Sequence, residues 1–189
     1  MMPRVNSLLL AARWLDRRES CRDNAARIAS FLQAAGETDA TLSTWLLEGL
    51  ATSGAFRRAD TSIRGIEELL RCGARDAHAV FAGRAAARGS GESGFSLALW
   101  NGLNASFQAT VGELDRNNSA ILSFQEAAPR DAATWRKLLS AAIEAFQPDL
   151  ARVTSHAMFS RSGDASTGEW FSYRRGGPVT ENPFSPDVC

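Results

Sequence analysis

The segment Gly94-Phe-Ser-Leu-Ala-Leu-Trp-Asn-Gly102 restricts the fold more than any other part of the chain. Phe95, Leu97 and Leu99 alternate with Ser96, Ala98 and Trp100. A period of two places the three apolar side chains on one face of a strand and Trp100 on the other. Asn101-Gly102 signals a hairpin, and Ala105, Phe107, Ala109 and Val111 alternate on the returning strand. A two-residue loop would set Leu97 against Ser106, apolar against polar. An odd loop pairs Leu99 with Ala105, Leu97 with Phe107 and Phe95 with Ala109, and is therefore predicted. A turn at Asp115 to Ser119 and a strand from Ala120 to Gln125 complete a meander.

The flanking segments supply helices. Residues 5 to 13 read as a strand, after which Ser20 and Asp23 approximate a capping box. Cys21, Ala25, Ile28, Leu32 and Ala35 recur at helical spacing before Gly36, which is expected to stop the helix. Residues 40 to 60 are ambiguous, with Trp45-Leu46-Leu47 buried in a Ser/Thr/Gly-rich setting. Ile63, Ile66, Leu69 and Leu70 form the stripe of a second helix over Ser62 to Arg71, and residues 74 to 92 read as a loop. Pro129 and Asp131 start a third helix, carried by Trp135, Leu138, Leu139, Ala142, Ile143 and Phe146 and ended by Pro148. Strands over Val153 to Phe159 and Glu169 to Tyr173 follow. The expected fold is α+β: one domain over residues 1 to 173, a mainly antiparallel sheet with a central meander and about three helices on one face, and an irregular tail over 174 to 189.

Composition limits the function. The 189 residues are 44% hydrophobic and 22% charged, which fits one globular domain and neither a disordered nor a membrane-spanning chain. Leu8 to Ala12 is the longest clean apolar run, too short for a bilayer or a secretory signal. Cys21, Cys72 and Cys189 show no CxxC spacing, which points to a reducing cytoplasm and away from disulfides or zinc. Residues 1 to 90 carry 13 Arg against 10 acids and residues 91 to 189 carry 8 basic against 11 acidic residues, or +3 against −3. That asymmetry is too weak for a nucleic-acid-binding surface.

Candidate chemistry is sparse. Gly89-Ser-Gly-Glu-Ser-Gly94 matches the dinucleotide-binding GxGxxG, but a strand follows the glycines where the mechanism needs a helix N-terminus. His78 and His156 are the two histidines. His156 could serve an enzyme only with a nucleophile such as Cys21, whose place near a helix start could lower its thiol pKa. No signature links the two, so a packed cysteine and a hydrogen-bonded histidine are expected. A small Cys/His enzyme and an arginine-dependent nucleic-acid module remain the alternatives to a binding protein. No metal or cofactor is expected. Trp100, Trp170 and Tyr173 are either covered by other elements or offered to a partner.

These segments together resemble the immunity protein 52 family of bacterial polymorphic-toxin and type VI secretion systems. The resemblance lies in Arg17-Arg-Glu-Ser20, Trp45, the Gly94 to Gly102 strand and turn, the Trp135 helix ending in Phe146-Gln-Pro-Asp149, and Gly168-Glu-Trp170 through Tyr173. After Tyr173 the sequence departs from the family pattern at Arg174-Arg175-Gly-Gly. The resemblance implies a cytoplasmic immunity protein without catalytic residues. Its partner would be a cognate toxin, a nuclease of restriction-endonuclease fold, held as a 1:1 heterodimer. Acidic side chains complement a basic cleft. The contact is therefore expected on the acid-weighted second half, at Glu92, Glu113, Asp115, Asp149, Asp164 and Glu169, with Trp100, Trp170 and Tyr173.

Overall fold

Strands joined by short turns pair antiparallel, and in a computed structural model of the chain every pairing among the described residues does so. The structure describes residues 8–15, 17, 19–48, 56–72, 95–112, 118–125, 131–155 and 169–182. Along the chain run β1 (Leu8–Trp14), α1 (Cys21–Thr38), a 3-10 turn (Ala40–Leu42), β2 (Leu46–Glu48), β3 (Phe56–Arg58) and α2 (63–72). They are followed by β4 (Phe95–Trp100), β5 (Ala105–Val111), β6 (Asn118–Phe124), α3 (Ala132–Phe146), β7 (Leu150–Ser155), β8 (Glu169–Arg174) and β9 (Thr180–Glu181). The nine strands form one sheet in the order β3-β2-β4-β5-β6-β1-β7-β8-β9. The expected α+β architecture with a central meander is observed.

The β4–β5 hairpin has the expected parity but a register shifted by two residues. Leu99 faces Phe107, Leu97 faces Ala109 and Phe95 faces Val111. Asn101 causes the shift: its Oδ1 accepts from the backbone N–H groups of Leu103, Asn104 and Ala105 at 3.0, 3.0 and 2.8 Å. Its own N–H donates to Ala105 O at 2.9 Å, so 101 and 105 close a three-residue loop centred on Leu103. Gly102 takes the left-handed conformation there, at φ 80°.

One face of the sheet carries the core. Leu8, Leu10, Ala12 and Trp14 of β1 join Leu97, Leu99, Phe107, Val111, Leu122 and Phe124 in a single buried cluster with the helices. Phe31 of α1 meets Phe107 at 5.5 Å and Phe146 of α3 at 5.3 Å between ring centroids, while Phe146 stacks on Trp14 at 5.1 Å and Trp135 meets Phe124 edge-on at 5.3 Å. These contacts seat α1 and α3 together on that face. Ile66 and Leu70 attach α2 to the same core, whereas Ile63, expected on that stripe, is 44% exposed. On the other face of β1, Leu9 and Ala11 are buried too.

The capping box forms, with Ser20 Oγ accepting from Asp23 N and Asp23 Oδ2 from Ser20 N, both at 3.1 Å. Gly36 does not stop α1. The helix continues to Thr38, and Gly36 is where Ser43 crosses: a Cβ on residue 36 would lie 3.1 Å from Ser43 Cα. The ambiguous stretch 40 to 60 holds the 3-10 turn and the short strands β2 and β3, the latter pairing as Leu46–Arg58, Leu47–Arg57 and Glu48–Phe56. The tail read as irregular turns back at residues 175–177, and β9 pairs with Phe171 and Ser172. Arg136 of α3 holds it, forming an ion pair with Glu181 and lying 5.5 Å from the Phe171 ring. The loop at 74–92, GxGxxG at 89–94, His78, His156 and Cys189 fall outside the described residues, as does residues 156–159 of the expected strand.

Candidate functional site

On the face of the meander away from α1 and α3, period-two alternation puts Ser96, Ala98, Ser106, Gln108, Thr110, Ser119, Ile121 and Ser123. The face changes character at the β4–β2–β3 end. Trp100 ends β4 on this face, half-buried, and meets the Phe56 ring of β3 at 4.9 Å. Phe56 is 49% exposed. Leu46 stands opposite both Trp100 and Arg58 in register, so it shares their face. The hairpin tip lies against Leu46, where the Cβ position of Gly102 is 3.2 Å from Leu46 Cδ1, and the adjoining Leu103 is 69% exposed. Phe56, Trp100 and Leu46 thus stand together on one face as an apolar patch. Arg58 is exposed beside it and Arg57 is exposed on the other side of β3; neither forms an ion pair among the described residues.

Glu92, Glu113, Asp115 and Asp164 are outside the described residues, and Glu169 is placed only as the backbone of β8, opposite Thr154. Trp170 is buried and stacks on Phe171 at 5.2 Å; Tyr173 packs against the core. Asp149 is occupied in structure. Its carboxylate accepts from Leu15 N at 2.9 Å and pairs with Arg175 at 3.1 Å, tying the end of β1 to the turn after β8. Of the expected aromatic contacts, Trp100 is the one the fold presents outward beside a second ring.

Several arginines are also engaged. The last carbonyls of α3 lack helical partners and carry the negative end of its dipole. Arg27 donates to Ala145 O at 2.7 Å, Arg17 to Phe146 O at 2.8 Å and also to Gln147 O, and Arg175 to Gln147 O at 3.3 Å. Glu19 holds Arg27 through a 2.7 Å ion pair. Burial, then the neighbouring Arg175, lowers the Arg17 pKa. The Arg17 to Ser20 segment is therefore a junction between α1 and α3.

Cys21 is partly buried, with Sγ 3.9 Å from Glu67 O. Burial pushes its thiol pKa up against the opposing pull of Arg71. The proposed helix-start effect is not what this site shows. The described residues contain no group of three or more His, Cys, Asp or Glu placed to hold a metal, and no helix long and apolar enough to cross a membrane. A hollow of about 690 Å³ lies between α1 and the start of α2, with Ala29, Gln33, Gly36 and Ile63 on its walls and Trp45 at its side. The buried Trp45 Nε1–H has no hydrogen-bond acceptor among the described residues.

The apolar patch escaped sequence reading because β2 and β3 are three residues long, too short to show a period. The Phe56-Arg-Arg58 run was the available signal.

No family model matches the chain, and no curated protein matches it. Among solved structures, the Pseudomonas aeruginosa T6SS protein PA0821 is similar over 82% of this chain and 42% of its own, at 10% identity and a TM-score of 0.43. The chain spans less than half the length of that structure.

Proposed function

We propose that this chain is an immunity protein: it binds a cognate secreted toxin, a nuclease of restriction-endonuclease fold, in the cytoplasm and neutralises it by stoichiometric contact without catalysis. The observation that supports binding most directly is the Phe56–Trp100 pair, two aromatic rings in contact on the sheet face away from α1 and α3, with Phe56 49% exposed and Trp100 half-buried. Large aromatic side chains are enriched among the few residues that carry binding energy. The sequence resemblance supplies the kind of partner.

The test is co-expression with a toxin, should one be encoded in a neighbouring reading frame. Wild type should restore growth and co-elute with the toxin at 1:1 in size-exclusion chromatography. Cys21→Ala with His156→Ala should protect equally well, since a binder needs neither group as a catalyst. Loss of protection by a folded double variant would favour an enzyme, and salt-sensitive binding to DNA alone would favour a nucleic-acid module.

A further inference from the structure

We draw no further inference here: the strongest candidate, the hollow between α1 and the start of α2 beside the buried Trp45 indole, carries nothing because the Trp45 Nε1–H is itself shut away from solvent and nothing in the structure shows what fills the space.

Discussion

Single side chains at helix starts carry much of the local order. Asp131 caps α3 by accepting from Thr134 N at 2.7 Å, Asp23 completes the box with Ser20, and Asp60 accepts from Ser62 N. Each carboxyl pKa is lowered, for Asp131 and Asp60 chiefly by the backbone hydrogen bond and for Asp23 chiefly by the Ser20 hydroxyl. A carboxylate with a folded pKa below its unfolded value of about 3.9 contributes stability above that pH. The contribution disappears as pH falls through the folded value. The melting temperature should therefore hold between about pH 7 and pH 5 and fall below about pH 4. Asp131→Asn keeps an N-cap acceptor that cannot titrate, so at pH 7 it should melt near wild type and lose less in acid. Asp131→Ala should melt about 2 to 4 °C lower at pH 7. Thermal melts followed by circular dichroism across this range check all three; equal acid sensitivity in Asp131→Asn and wild type would refute the assignment.

At the scale of elements, close approach overrides helix propensity. Gly65 lies in the first turn of α2, where alanine is normally better by about 1 kcal/mol. A Cβ there would sit 2.3 Å from the carbonyl oxygen of Asp60, a backbone atom that cannot rotate away. Gly65→Ala should therefore destabilise the protein by about 1 to 3 kcal/mol, the range for overpacking, measured as a lower urea midpoint. A rise in the midpoint would show that the start of α2 is free to move. The same reasoning explains Gly36, which continues α1 where its spacing suggested a stop. The α3 C-terminus is the complementary case: Arg17, Arg27 and Arg175 from separate segments converge on its carbonyls.

The described residues of the molecule share one core that reaches from Leu97 on β4 to Phe171 on β8. β1 lies between β6 and β7, so the N-terminal described strand joins the meander to the C-terminal strands. A core shared in this way should unfold as one unit. Trp14, Trp45, Trp135 and Trp170 are buried in it, so urea curves followed by tryptophan fluorescence and by far-UV circular dichroism should coincide. Separated curves would show that the meander and the β7–β9 end unfold independently.

The α+β class, the meander, the capping box and the long helix were legible because each depends on neighbours along the chain. Period two or 3.6 sorts side chains to a face, and a cap needs only the next three residues. Long-range geometry decided the remainder. The register of β4 and β5 depends on where Asn101 folds its side chain, and Gly36 on which segment crosses it. The roles of Trp170 and Asp149 depend on strands that pair only in the sheet. Trp100 could be assigned to the face opposite Leu97 and Leu99 from alternation alone. Its partner Phe56 could not be, because the two rings are 44 residues apart in the chain and meet only when β2 inserts between β3 and β4.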